Sequence, residues 1–355
     1  SRRPSYPGRT RQLNVQTTNW SKSCMKRIGI AFSGGPGPAE IVKCVKLAEA
    51  LGYESAWIAE GHGGDQFSIL TACAVQTSTI LLGTAISSVF VRSIPTIAMA
   101  AATVDDISGG RFILGLGSSH RVQVEPEHGI DYSKPITRVR ESVNIIKMLL
   151  RDGVVQYKGE TITIQHFDLW FSPGRKKIPI YLAGLFPKMI STCGELADGL
   201  ILTRSTLTNN DQIRQWIAAG ASRCGRRLAD IDVASLLPAA LADSRSDALN
   251  ALRPGLAFYL GFFPRYNRLL AEYGFVEESA QVADAWARGD KAAATHAVTD
   301  EMIEATSVVG TRGQCREQIE AYRESGIDLP IISPFARGPD SRKTFEAVIR
   351  ACAPR

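Results

Sequence analysis

One segment, Gly110-Arg111-Phe112-Ile113-Leu114-Gly115-Leu116-Gly117-Ser118-Ser119, limits more than any other what this 355-residue chain can fold into. It runs from a glycine turn through an apolar strand to small residues only. In a dinucleotide-binding fold, Gly115-Leu116-Gly117 would open a G-x-G-x-x-G fingerprint, followed by a helix N-terminus under the pyrophosphate. The third glycine is missing, because position 120 is His120. The polar stretch 121–134 contains Pro126 and Gly129 and predicts no apolar-periodic helix after the strand. The better reading is one strand of a larger barrel, with a mouth bare of side chains against which something flat can lie.

The rest of the chain supports that reading. Short apolar runs alternate with longer amphipathic segments from residue 26 onward. Strands are predicted at 27–32, 53–59, 80–87, 112–116, 178–183, 199–203, 231–241 and 329–334. Helices are predicted at 38–51, 66–77, 95–107, 135–151, 187–197, 209–224, 314–324 and 344–352, with a long helical stretch over about 244–306. In the 135–151 helix, Ile136, Val139, Val143, Ile146 and Leu150 read as inward and Arg138, Arg140 and Glu141 as outward. The polar, aromatic segment 155–177 reads as a hairpin or loop outside the main layer. Eight strands, each followed by helix and without hairpin signals among them, predict an α/β fold of the closed (β/α)8 TIM-barrel type. The domain organisation expected is an N-terminal extension over 1–25 and a single barrel domain over 26–355.

Composition narrows the class of protein. Lys and Arg number 41 and Asp and Glu 35, a net charge of +6, but seven of the bases lie in the first 27 residues, where there is no acid. The remainder is close to neutral and has no basic stripe interleaved with aromatics, which argues against nucleic-acid binding. No run approaches the roughly 18 apolar residues of a membrane span. Seven cysteines without C-x-x-C spacing point to a reducing, cytoplasmic setting and away from disulfides or a zinc site.

In a barrel, chemistry gathers at the C-terminal ends of the strands. Glu60 and His62 stand just beyond the second strand, where a carboxylate and an imidazole can hydrogen-bond a ring and move a proton. A loop with an exposed histidine and a capping Asp65 is the alternative there. Gly184 and Lys188 bracket the start of a helix, an arrangement that favours an anion, although an ordinary strand-to-helix turn would look the same. His120 and Arg121, with Glu125, Glu127 and His128, match no common metal spacing, so no metal site is expected. The aromatic run 258–266 reads as a lid over an apolar substrate, as a subunit contact, or as packing.

Six motifs in order give the chain a resemblance to the bacterial luciferase-like superfamily. They are Trp57-Ile58-Ala59-Glu60, Leu82-Gly83-Thr84-Ala85-Ile86, the Ser108–Gly117 segment, Pro179-Ile180-Tyr181-Leu182-Ala183, Gly194-Glu195-Leu196-Ala197-Asp198-Gly199, and Val309-Gly310-Thr311. Within that superfamily the chain is most similar to coenzyme F420-dependent reductases and dehydrogenases of the methylene-tetrahydromethanopterin reductase type. The resemblance covers about residues 26–350 and implies a barrel with luciferase-like insertions, often dimeric. It implies a tricyclic ring across the mouth, backed by a cis-peptide bulge near Ala85 and Ile86. Gly115, Gly117, Ser118 and Ser119 would allow its close approach, and Ala183, Gly184 and Lys188 would hold its phosphate end. Relatives place a catalytic His directly after the acidic residue, where this chain has Gly61, and those that oxidise sugar phosphates carry a Glu at the place of His120. The proton donor therefore stands open between Glu60, His62 and His120. Flavin-using luciferases place an Arg where this chain has Ser118, which tilts the reading from FMN to the deazaflavin. The expected activity is F420-dependent hydride transfer to or from a small, fairly apolar organic substrate. Its rivals are a reduced-FMN monooxygenase and a non-catalytic flavin carrier.

Overall fold

The computed structural model describes residues 26–354 apart from 337 and 339. The predicted extension over 1–25, and Arg337 at the end of the last predicted strand, lie outside the described residues. The order of elements is β1 (Gly29–Phe32), α1 (Pro38–Ala50), β2 (Ser55–Ile58), α2 (Gln66–Gln76), β3 (Leu81–Thr84), β4 (Ser87–Ser88), α3 (Ile94–Ile107), β5 (Phe112–Gly117), α4 (Arg121–His128), α5 (Pro135–Asp152), β6 (Val154–Lys158) and β7 (Thr163–Asp168). Then follow β8 (Ile180–Ala183), α6 (Pro187–Leu196), β9 (Gly199–Thr203), α7 (Asn210–Ser222), β10 (Asp232–Leu241) and five consecutive helices, α8 (Arg245–Phe262), α9 (Pro264–Glu272), α10 (Val276–Ala287), α11 (Lys291–His296) and α12 (Asp300–Thr306). The chain closes with β11 (Val308–Gly310), α13 (Arg312–Glu324), β12 (Leu329–Pro334) and α14 (Ser341–Cys352).

Eight strands, β1-β2-β3-β5-β8-β9-β10-β12, pair in parallel, and β12 returns to β1 to close the barrel. Each strand is short and apolar because both its faces are covered, one by helices and one by the barrel interior. That interior is filled by Ala31, Trp57, Ile113, Tyr181, Ile201, Ala234 and Ile331 among others. Trp57 is wholly buried, and a Cβ on neighbouring Gly83 would lie 2.3 Å from its ring. A large ring on one strand thus requires a bare backbone on the next, which is why the Gly83 position takes no side chain.

At the N-terminal end of the barrel, charges tie the strands together. Arg27 donates to both oxygens of Glu54 and both of Asp232, at 2.8–3.0 Å, and the Tyr181 hydroxyl also donates to Asp232. The cross-link joins β1, β2, β8 and β10. Arg111, from the glycine-led segment, donates to the carbonyls of Ala74, Thr77 and Ile80 and so caps the C-terminus of α2.

Two local expectations are corrected. The 121–134 stretch does hold a helix, α4, in spite of Pro126. It is short, spanned by an Arg121–Glu125 pair and stopped by Gly129 at φ +66°, so it needs only one buried residue, Val124, and shows no apolar period. Glu141 is buried, not outward. Its carboxylate accepts the backbone N–H groups of Glu160, Thr161 and Ile162 and the Thr161 hydroxyl, pinning the turn of the antiparallel β6–β7 hairpin. Burial works against the Glu141 carboxylate, but these donors outweigh it and hold its pKa below the ordinary value.

Replacing Asp232 with Ala removes acceptors from both Arg27 and Tyr181. The expected loss is about 2 kcal/mol, within the range for charge-assisted hydrogen bonds. Urea denaturation of the two proteins measures it; an unchanged midpoint would mean that the cross-link carries no stability.

Candidate active site

The mouth of the barrel is built around an interruption in β3. Thr84 is the last regular residue, and the Ala85–Ile86 peptide that follows is cis, at the position where the sequence resemblance places a bulge. The chain re-pairs with β5 only at Ser87 and Ser88. The glycines of β5 make room for this detour. The Thr84 hydroxyl donates to the Gly115 carbonyl at 2.7 Å and accepts the Gly115 N–H at 2.8 Å. A Cβ on Gly115 would sit 1.9 Å from the Thr84 carbonyl oxygen, and one on Gly117 would sit 2.8 Å from the Ile86 side chain. The space beside both glycines is therefore taken up by the bulge itself. Ala183, at the end of β8, lies alongside, 3.3 Å from where the Gly117 Cβ would be.

Glu60 faces the bulge from β2. One carboxylate oxygen accepts the Ser88 N–H at 2.7 Å and the other accepts from Arg92. Arg92 also bonds Asp65, which caps α2 through the Ser68 N–H at 2.8 Å, and its guanidinium lies 5.3 Å from the centre of the Phe67 ring. Burial pushes the Asp65 carboxyl up, but the bonds from Arg92 and Ser68 outweigh it and keep it below the ordinary carboxylate value. One cation thus binds the loop after β2 to the turn before α3.

His62 is not part of this cluster. Its side chain is 78% exposed and pairs with Glu127 of α4 at 3.1 Å. His120, just after β5, lies against the rings of Phe263 and Tyr266 at 4.6 and 5.3 Å. Burial, aided by the nearby Arg265 cation, lowers its pKa from the ordinary 6.5 to about 4, so the imidazole is neutral near neutral pH. The aromatic run of the sequence forms this wall, with Tyr259, Phe263 and Tyr266 meeting ring to ring at the junction of α8 and α9. Ser118 is buried and accepts the Tyr132 hydroxyl at 3.0 Å, while Ser119 takes the left-handed conformation at φ 55°.

Gly184 lies against α6: a Cβ there would stand 3.1 Å from both Ile190 and Leu200. Lys188, in the first turn of α6, is exposed and lines a surface groove with Ile136, Trp216 and Arg223. Contacts around the bulge thus link Glu60, Ala85, Ile86, Gly115, Gly117 and Ala183, whereas His120 packs on the aromatic rings, His62 is exposed and Lys188 lines a surface groove.

The model of the luciferase-like monooxygenase family matches residues 20–329. The chain belongs to that family. The 5,10-methylenetetrahydromethanopterin reductase of Archaeoglobus fulgidus is 30% identical over 335 residues, 93% of this chain and 99% of that protein. The coenzyme F420-dependent tetrahydromethanopterin reductase of Methanopyrus kandleri superposes with a TM-score of 0.81 at 29% identity, covering 92% of this chain and 98% of that one. An F420-dependent secondary alcohol dehydrogenase shares the fold at TM-score 0.74 and 19% identity, covering 92% and 99% of the two chains. No helix among the described residues is long and apolar enough to cross a membrane.

As a luciferase-like barrel, the molecule has mouth residues that sequence reasoning passed over. Arg92, Tyr132 and Arg204 carry no motif of their own. The only signal was position, since Arg92 and Arg204 follow strand ends.

Two outcomes test this geometry. Gly115→Ala forces a Cβ onto backbone and is expected to destabilise by about 3 kcal/mol, at the upper end of overpacking costs, measured by denaturant titration. His120 binds its proton near 6.5 when unfolded and about 4 when folded, so the stability present above about pH 6.5 is lost as the pH falls towards 4. A His120→Gln variant should lack that part of the pH dependence, and NMR titration of the ring should give a midpoint near 4.

Proposed function

We propose that this chain is an F420-dependent oxidoreductase, moving a hydride between the deazaflavin and a small organic substrate. The observation that carries the reading is likeness at 29–30% identity, over more than nine-tenths of both chains, to reductases of that chemistry. Ser118 supports it from the structure. It is small, buried and engaged by Tyr132, where an arginine would have suited FMN.

The residues present fit such a cofactor. The Ala85–Ile86 bulge and Ala183 would back the ring. No side chain caps the N-terminus of α6, so the first-turn N–H groups of Lys188 and Met189 are open to an anion, and Gly184 and Lys188 would hold the phosphate there. When bound, the deazaflavin would give or take the hydride at its C5 carbon, so that a substrate oxidised here would pass its hydride to that carbon. The chain's own task is to orient the substrate, exclude water and handle one proton. Glu60 has both oxygens engaged, so it serves to fix the bulge loop through the Ser88 N–H. His62 faces solvent. His120, neutral, half-buried and packed against the rings of Phe263 and Tyr266, is the group suited to take up the proton as a substrate is oxidised.

Equilibrium titration with F420 and FMN side by side tests the proposal. F420 is expected to bind saturably and to be reduced or reoxidised with a substrate panel. Lys188→Ala should weaken F420 binding by about 1.5–3 kcal/mol, the range for a charge-assisted hydrogen bond. Tight FMN binding with oxygen consumption would assign a monooxygenase instead, and tight binding without turnover a carrier.

A further inference from the structure

Among the described residues Arg204 is the one arginine that is buried, and its surroundings differ from those of several half-buried ones. Arg27 is paired with Glu54 and Asp232, Arg175 with Asp105, and Arg92 with Glu60 and Asp65. Arg204 is 5% exposed, yet no carboxylate pairs with it among the described residues. Its Nε is fully enclosed and has no acceptor there. Its guanidinium lies over the ring of Tyr259, 4.7 Å away, with Tyr266 and Tyr322 also close enough to act on its charge. Its backbone takes the left-handed conformation, φ 56°, which is uncommon for a residue with a Cβ, and its N–H is tied to the Leu236 carbonyl at 3.2 Å. The residue stands directly after β9, at the catalytic end of the barrel, beneath the aromatic wall that holds His120.

A buried guanidinium without a counter-charge is costly, and a buried donor without an acceptor calls for a missing partner. The surroundings say what that partner is. They are aromatic, so the bound molecule is largely apolar where it meets the wall. One cation balances one negative charge, which fits a carboxylate better than a phosphate dianion, and the planar fork of arginine matches a carboxylate in two hydrogen bonds. The open turn of α6 offers a separate anion site.

We propose that Arg204 anchors the substrate by a carboxylate, so that the substrate is an apolar or aromatic monocarboxylic acid whose reacting carbon lies towards His120. This rests on the oxidoreductase reading for the word substrate. A carboxylate of the cofactor's own tail has the same chemistry, and the test separates the two sources.

The experiment uses the full chain with three carboxylates, benzoate, phenylacetate and acetate, and with uncharged benzamide. Binding is followed by calorimetry and thermal shift, with and without F420. At least one aromatic carboxylate is expected to bind saturably, to raise the melting temperature and to bind in the presence of F420, while benzamide does not bind. Arg204→Gln should weaken that carboxylate by about tenfold or more and leave F420 affinity within about twofold. Its melting temperature without ligand should be no lower than wild type, since it loses an uncompensated charge. Arg204→Met serves if the glutamine variant does not fold, and Arg204→Lys should restore part of the carboxylate binding. Equal carboxylate binding in wild type and Arg204→Gln, or none in wild type, overturns the proposal. So does a loss confined to F420, which would give Arg204 to the cofactor. Carboxylate binding that depends on Arg204 in a chain that ignores F420 would sink the cofactor reading and leave the anion site standing.

Discussion

The mouth of this barrel depends on one close approach, the exchange of two hydrogen bonds between the Thr84 hydroxyl and the Gly115 backbone. That contact lets β3 stop at Thr84 and lets the chain detour through Ala85 and Ile86 without leaving the sheet open. It is possible only because position 115 has no Cβ, since the nearest backbone oxygen would be 1.9 Å from it. Ile86 then lodges against Gly117, and Ser88 is delivered to the Glu60 carboxylate. Backing surface, carboxylate position and loop order all follow from one missing side chain.

Around this patch the mouth is electrostatically lopsided. On the β2–β4 side, charges are matched: Glu60, Arg92 and Asp65 satisfy one another, and Asp65 stays ionised because Arg92 and Ser68 outweigh its burial. On the side of the helical insert, rings dominate. There His120 is driven neutral, and Arg204 is left without a counter-ion among the described residues. The matched side is already complete, which suits a rigid platform. The unmatched side lacks one negative charge and one proton acceptor's partner, which is what a polar substrate group would bring. The physical contrast between the two sides is the basis for the proposal that a substrate is recognised by Arg204 and His120 beside the aromatic wall of α8 and α9.

Much of the fold was legible in sequence because it rests on periodicity. Parallel strands covered on both faces read as short apolar runs, and amphipathic helices read at their own period, so eight units and the external hairpin could be located. The places that misled have a common cause. In α4 a helix of eight residues needs only one apolar contact, so it has no period to detect. Glu141 looked like a solvent charge because its acceptor role depends on a hairpin turn twenty residues away. Of the site, Glu60, the 85–86 bulge and the β5 glycines were found through motifs, whereas Arg92 and Arg204 were not. Their meaning lies in what does or does not face them.

Sequence alone therefore determined the layer order of this protein, its family motifs and the strand ends where its chemistry gathers, since each of these is written in local spacing. Tertiary structure decided the rest. It showed that the small residues of 110–119 make room first for the chain's own bulge, that His120 is neutral and packed against aromatic rings while His62 faces water, and that Arg204, among the described residues, lacks a carboxylate where Arg27, Arg92 and Arg175 have theirs. The reason is that spacing along a chain records how each element packs, whereas pKa, pairing and steric room depend on groups brought together from distant strands.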